Sequence, residues 1–217
     1  MLLPPTLPLL TSETVLLFPG TSIRLRVCSP AQCQLIEDVA RTGGIVGTVL
    51  SRQDSAEASA SWHAVGCCAT LGSHRRMRDG TWQVTLRGRL RFRVCGEASA
   101  WGEPVRPYPV VRVQALYEAP ALAHEMRQLR DEIRRALEDY GRLVGAPPDS
   151  VAPLFVKLDL EGLVNYLSAR LSWSPLEKQA LLECPTIERR CRRLIALLSY
   201  RTMEGRLGLD PERGIDA

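Results

Sequence analysis

The chain is constrained most by residues 79–94, DGTWQVTLRGRLRFRV. Its even positions, Trp82, Val84, Leu86, Gly88, Leu90, Phe92 and Val94, are apolar or small, while Arg87, Arg89, Arg91 and Arg93 fill odd ones. Alternation with a period of two is the pattern of a strand with one dry and one wet face. It runs through Gly88 in phase, so the segment reads as one long strand that bends or bulges where a side chain is missing, as barrel strands do. A small β-barrel is expected, with a ladder of arginines on its wet face.

Further strand-like stretches lie at 7–10, 15–18, 23–27, 45–50, 64–71 and 109–116. One helix interrupts them: Ser29 is placed to cap it with Pro30 at its first position, Leu35, Ile36 and Val39 form its apolar stripe, and Gly43 and Gly44 end it. Residues 51–61 are small and polar, the composition of a loop. After Glu118-Ala119-Pro120 the pattern turns helical. Leu122, Met126, Leu129, Ile133, Leu137, Tyr140 and Val144 mark one amphipathic helix, stopped by Gly145 and Pro147-Pro148. Ser150 and Asp159 are placed to begin two shorter helices. Ser174-Pro175-Leu176-Glu177 is a capping box, and Thr186 caps a last helix striped by Ile187, Cys191, Leu194, Ile195 and Leu198. The expected organisation is α+β: a barrel over 1–118, a helical bundle over 119–203 and a frayed tail over 204–217.

With 217 residues, 45% of them hydrophobic, the chain can bury a substantial core. No apolar run approaches the roughly 20 residues that span a bilayer, so no membrane anchor is expected. The opening MLLPPTLPLL lacks a basic region and carries three prolines, unlike a cleaved leader. Seven cysteines, an odd number that includes adjacent Cys67 and Cys68, suit reduced thiols in the cytoplasm. The net charge of +4 divides into +5 up to Tyr117 and −1 beyond it, a basic excess confined to the first half.

Several chemistries lack their residues. The only lysines, Lys157 and Lys178, follow Val156 and Glu177, so no Gly-Lys phosphate loop exists. His124-Glu125-Met126-Arg127-Gln128 has glutamine where a zinc-protease helix needs its second imidazole. No G-x-S-x-G turn occurs. His63, Cys67 and Cys68 offer three soft ligands, but neighbours on a strand point to opposite faces, which favours buried thiols over a metal. Gly43-Gly44-Ile45-Val46-Gly47 stands between helix and strand, the reverse of a dinucleotide loop. Cys95, next to the arginine strand, is the candidate reactive thiol, and an inert strand-end thiol is its simpler reading. No cofactor, metal or catalytic group is expected.

Three sets of residues resemble a family, the Lon protease N-terminal or substrate-binding domain. Leu7-Pro8-Leu9 with Val15-Leu16-Leu17-Phe18-Pro19-Gly20 is similar to its opening strands. Asp79-Gly80 followed by Gly88-Arg89-Leu90-Arg91-Phe92-Arg93-Val94 is similar to its DG and G-x-x-RF pattern, and Glu177-Lys178-Gln179-Ala180-Leu181-Leu182-Glu183 to its EKQxLLE helix. The chain departs at Cys28-Ser29-Pro30-Ala31-Gln32, where the family has a Glu-Pro-Arg-Tyr-like segment. The resemblance implies a PUA-like barrel followed by helices and a role in capturing polypeptides for degradation, without the ATPase and peptidase parts of full-length Lon.

Three functional readings follow. The first is a stand-alone, non-catalytic polypeptide-binding module, an adaptor or recognition protein in quality control, with client polypeptides or a protease as partners. The second is RNA binding through a basic face of Arg87, Arg89, Arg91 and Arg93 with nearby Arg75, Arg76 and Arg78, although no aromatic residue accompanies them for base stacking. An arginine ladder also pairs readily with carboxylates on neighbouring strands, each exposed pair contributing about 0 to 1 kcal/mol. The third, an enzyme, has only Cys95 to support it. Phe18, Pro19, Gly20, Gly88 and Phe92 read as structural, through a Pro-Gly turn and a bend.

Overall fold

A computed structural model of the chain describes residues 3–52, 62–98, 106–118, 122–147 and 151–207. Six strands, β1 (Thr6–Ser12), β2 (Ser22–Val27), β3 (Ile45–Leu50), β4 (Val65–Arg76), β5 (Trp82–Glu97) and β6 (Val110–Leu116), form one sheet, and helix α1 (Pro30–Arg41) lies between β2 and β3 in sequence. Among the described residues five further helices follow: α2 (Ala123–Leu143), α3 (Ala152–Lys157), α4 (Leu160–Arg170), α5 (Pro175–Leu182) and α6 (Ile187–Arg206). The strand order is β2-β5-β4-β3-β1-β6, with β6 also paired to β5. That second pairing closes β1, β3, β4, β5 and β6 into a ring, the expected barrel. β2 stands outside the ring, paired with residues 82–87 of β5, while β6 takes residues 91–97.

Compactness divides the chain into two units. The first joins Met1–Tyr117 with Ser168–Glu183, and the second joins Glu118–Leu167 with Cys184–Ala217. The sequence pattern assigned 168–183 to the helical bundle, whereas α5 packs on β4.

Within the first unit, one core fills the ring: Leu7 and Leu9 of β1, Val49 of β3, Cys68 of β4, Phe92 of β5 and Val111 of β6. Gly47 and Gly66 make room for its central ring, since a Cβ on either would come within 3.0 Å of Phe92. A second core gathers Leu35, Ile36 and Val39 of α1 with Val27, Val46, Cys67, Ala69, Val84 and Leu86. The α1 stripe is therefore as expected, and Pro30 opens the helix, but the Ser29 hydroxyl makes no capping hydrogen bond.

The stretch 15–18, expected as a strand, is none. Its Leu16, Leu17 and Phe18 are buried by their side chains, yet its backbone joins no ladder. The Val15 amide donates to Ser12 Oγ, and Phe18 begins a tight turn in which the Thr21 amide donates to its carbonyl at 3.1 Å. Pro19 and Gly20, with φ of +76° at Gly20, occupy the central positions that such a turn demands.

Within the second unit, α2 and α6 pack together. Leu129, Ile133 and Leu137 of the α2 stripe are buried, whereas Leu122 and Val144 flank the helix as its caps and are exposed. Glu118, just ahead of α2, pairs at 2.7 Å with Arg190 in the first turns of α6, and Leu143 at the end of α2 lies where a Cβ on Gly205 would fall. The two helices thus run parallel. Arg190 is fully buried and also donates to Asn165, so its charge is offset by a carboxylate and an amide. α3 is held to α2 by Arg130, which donates to the Phe155 and Leu158 carbonyls, and by the Arg134 guanidinium over the Phe155 ring. Thr186 caps α6, as its sequence implies. α6 continues through Arg206, into the stretch expected to fray; residues 208–217, most of 51–61, and the Ser150 cap lie outside the described residues.

Candidate functional site

β5 decides where the arginines go. Cys68 pairs with Leu90 and Ala69 with Gly88, so Arg89 is an extra residue with nothing opposite it, a β-bulge. The bulge exchanges the faces of the strand. Before it, the even residues Val84 and Leu86 enter the α1 core; after it, the even residues Phe92 and Val94 enter the barrel core. The dry side of the sequence is thus two different faces in space, a correction to the single wet ladder expected from alternation.

Arg91 is where the exchange matters. It pairs opposite Cys67 and is only 2% exposed, while Arg87, Arg89 and Arg93 are exposed. Its Nη1 donates at 2.9 Å to the carbonyl of Leu182, the last residue of α5. Helix ends leave such carbonyls without intrahelical donors and carry partial negative charge, so a buried guanidinium is well matched there. The bulge sits where β5 leaves β2 and meets β6. Gly88 itself has no unusual backbone angle; a Cβ there would fall 2.1 Å from the Phe18 carbonyl oxygen, and the close approach is what requires glycine. Gly88 exchanges hydrogen bonds with the same turn, its amide donating to Thr21 and its carbonyl accepting from Gly20.

The EKQxLLE-like helix is the counterpart of Arg91. The Ser174 hydroxyl accepts from the Glu177 amide and the Glu177 carboxylate from the Ser174 amide, the capping box expected. Lys178 donates to the Ala169 carbonyl, and partial burial lowers its pKa. Gln179, buried, donates at 3.0 Å to the Val65 carbonyl of β4 and at 2.7 Å to Glu183, which in turn lies 3.4 Å from His63. Leu181 and Leu182 are buried. Glu177 shapes the helix, Lys178 ties it to the end of α4 and Gln179 fastens it to β4, so the motif serves docking.

The remaining arginines of the expected basic face separate. Residues opposite one another across a ladder share a face. Arg75 and Arg26 lie opposite Gln83, Arg24 lies opposite Thr85, Ser22 and Thr70 lie opposite Arg87, and Arg89 donates to Thr70 Oγ1. Arg24, Arg26, Arg75, Arg87 and Arg89 therefore occupy one face of the extension β2-β5-β4. Arg76 pairs opposite Trp82 on the other face, within 3.6 Å of Glu37, and Arg78 stands exposed in the β4–β5 turn. Arg93 lies beyond the bulge, opposite Val65. Arg24 and Arg26 were legible in Ser22-Ile23-Arg24-Leu25-Arg26-Val27, whose alternation repeats that of β5 at shorter length.

The β4–β5 turn is set by Asp79-Gly80. Asp79 accepts from the Thr81 amide and hydroxyl and pairs with Arg26, while Gly80 takes φ of +84°. These hydrogen bonds from Thr81, and then Arg26, hold the Asp79 carboxyl below its ordinary pKa. Among the described residues no ion pair engages Arg24, Arg75 or Arg87.

The thiols divide as adjacent strand residues must. Cys67 enters the α1 core and Cys68 the barrel core, and burial pushes their pKa values up to about 12 and about 11. Cys95 is exposed at a second bulge, between Val94 and Gly96. Among the described residues no three His, Cys, Asp or Glu side chains gather to hold a metal, and no helix is long and apolar enough to cross a membrane. A cleft of about 760 Å3 opens beside the end of α1, lined by Pro8, Asp38, Arg41, Thr42 and Tyr108. The Tyr108 hydroxyl donates to Asp38 at 2.6 Å, and burial, then this bond, raise the phenol pKa to about 12.

A ring barrel braced by a docked helix, with a separate α-helical unit, is an architecture shared with solved proteins. The N-terminal domain of a Mycobacterium avium complex Lon protease superposes with a TM-score of 0.71 at 19% identity, covering 89% of this chain and 98% of that one. A Lon N-terminal domain protein from Xanthomonas campestris gives 0.61 at 23% identity, covering 88% and 97%. In sequence, residues 6–200 match the ATP-dependent protease La (LON) substrate-binding domain, and the chain belongs to that family. It is 30% identical over 203 residues to Lon protease 1 of Sorangium cellulosum and 24% identical over 207 residues to Lon protease of Flavobacterium johnsoniae. In each case it covers 90% or more of this chain and spans 24% of the relative's length.

Proposed function

We propose that this chain is a non-catalytic polypeptide-binding module of the cytoplasm, an adaptor or recognition protein that delivers substrates to a separate protease. One observation carries the reading: the match to the substrate-binding family runs from β1 into α6 without a break. The match to full-length Lon proteases covers only the quarter of their length that corresponds to this domain. The residues that resemble the family are the ones that build the barrel and its brace, namely the Phe18-Pro19-Gly20 turn, Gly88, Phe92 and the helix of Gln179. They supply a rigid platform, and binding belongs to the surfaces it displays.

The test is a titration of the full chain with a permanently unfolded, carboxymethylated polypeptide and with the folded form of the same polypeptide, followed by fluorescence anisotropy. Saturable binding of the unfolded form alone is expected. Equal affinity for both forms, or none for either, overturns the reading.

A further inference from the structure

We propose that the outer edge of β2 receives an acidic, extended segment of client polypeptide as an added strand. The proposal rests on the polypeptide-binding reading and gives it a site and a chemistry.

Among the described residues β2 pairs with β5 alone, and its other edge carries no strand. The Gly88 amide donates to the Thr21 carbonyl, which fixes the phase of the antiparallel ladder. Hydrogen-bonded and non-hydrogen-bonded pairs alternate from there, so Ile23, Leu25 and Val27 turn their amides and carbonyls to β5. Ser22, Arg24 and Arg26 turn theirs outward, and all three residues are exposed. Among the described residues, no backbone hydrogen bond beyond the β5 ladder engages those three. An unpaired row of this kind is a template for an incoming strand.

The two faces of β2 then dictate what that strand carries. On one face stand Arg24 and Arg26, with Arg75, Arg87 and Arg89 on the adjoining strands, and Asp79 is the carboxylate that pairs with one of them. On the other face Ile23 and Leu25 are half-buried against the α1 core, so the apolar surface reaches the edge unfinished. A strand alternating acidic and apolar residues satisfies both faces at once, with its carboxylates beside the arginines and its apolar side chains continuing the core. A second copy of β2 would set arginine beside arginine, so the edge disfavours its own kind and selects for opposite charge. Nucleic acid would use the charge but neither the outward amides nor the apolar margin. The aromatic residues of β5, Trp82 and Phe92, face the two cores, so β5 offers none on the arginine face for bases to stack on.

The test uses the full chain and a labelled nine-residue peptide alternating glutamate and valine. Its controls are the lysine-valine counterpart, the glutamate peptide N-methylated at one or the other alternate set of residues, and an oligouridylate. Anisotropy is expected to show binding of the glutamate peptide alone. The Arg24→Glu/Arg26→Glu variant, with its melting temperature unchanged, should weaken it at least tenfold. One N-methylation set should abolish binding and the other spare it, because only one set of amides faces the edge. Unchanged affinity in the variant, equal loss from both N-methylation sets, or tighter binding of the oligouridylate overturns the proposal. The carboxymethylated polypeptide separates the two claims. If it binds wild type and variant equally while the peptide does not bind, the edge site falls and the module stands; if neither ligand binds, both fall.

Discussion

The two halves of β5 carry the same written pattern and do different work. Residues 82–87 lie between β2 and β4 in a three-stranded extension, burying one face against α1 and presenting arginines on the other. Residues 90–97 lie between β4 and β6 in the closed ring, where Phe92 fills the interior and Arg91 is buried against the end of α5. A single unpaired residue, Arg89, separates an arginine that faces water from one that holds a helix. Charge periodicity alone therefore says which residues share a side in sequence and not which share a side in space.

The most damaging way to break this comparison is to fill the junction. Gly88→Val would place a Cβ within 2.1 Å of the Phe18 carbonyl oxygen and further carbons beyond it. The turn and the strand would have to separate, at an expected loss of about 3 kcal/mol or more, the upper end of overpacking costs. Urea unfolding measures it, and an unchanged midpoint would refute the account of the junction.

A smaller effect is expected from the ring half. Arg91→Leu removes a buried donor and leaves the Leu182 carbonyl unsatisfied, so stability should fall by ~1–3 kcal/mol. Amide exchange should quicken in α5 beyond the global change, because that helix loses its hold on β5. Uniform exchange would mean that Gln179 and the apolar contacts of Leu181 suffice to keep it in place.

The extension half should barely respond. Arg87→Gln with Arg89→Gln alters two exposed side chains, one of them bonded only to Thr70 among the contacts seen, and the midpoint should move by less than about 0.5 kcal/mol. A loss as large as that from Arg91→Leu would show that the two halves are energetically alike.

Much of this fold was legible because alternation, capping and turn chemistry are local. The long strand, the α1 stripe, the Pro19-Gly20 turn and the Ser174 capping box each depend on residues a few positions apart. The bulge at Arg89 was not, because an inserted residue leaves the written alternation intact while rotating everything after it. Nor was the burial of Arg91, whose acceptor lies 91 residues onward, or that of Gln179, whose acceptor lies 114 residues back. The stretch 15–18 misled for the opposite reason: four apolar residues meet the requirement for burial without meeting the one for a ladder. Of the arginines expected to share one face, Arg75, Arg87 and Arg89 do so, and Arg24 and Arg26 join them from β2.

The first unit is finished by residues 168–183, which follow most of the second unit in the chain. On a ribosome the barrel strands emerge early and wait for their brace while some fifty intervening residues are made, with Arg91 meanwhile lacking the carbonyl it will hold. A nascent chain halted just past Tyr117 would lack both the Leu182 carbonyl and the Gln179 side chain that join α5 to β5 and β4. Docking of α5 thus reports that synthesis has passed through α2, α3 and α4.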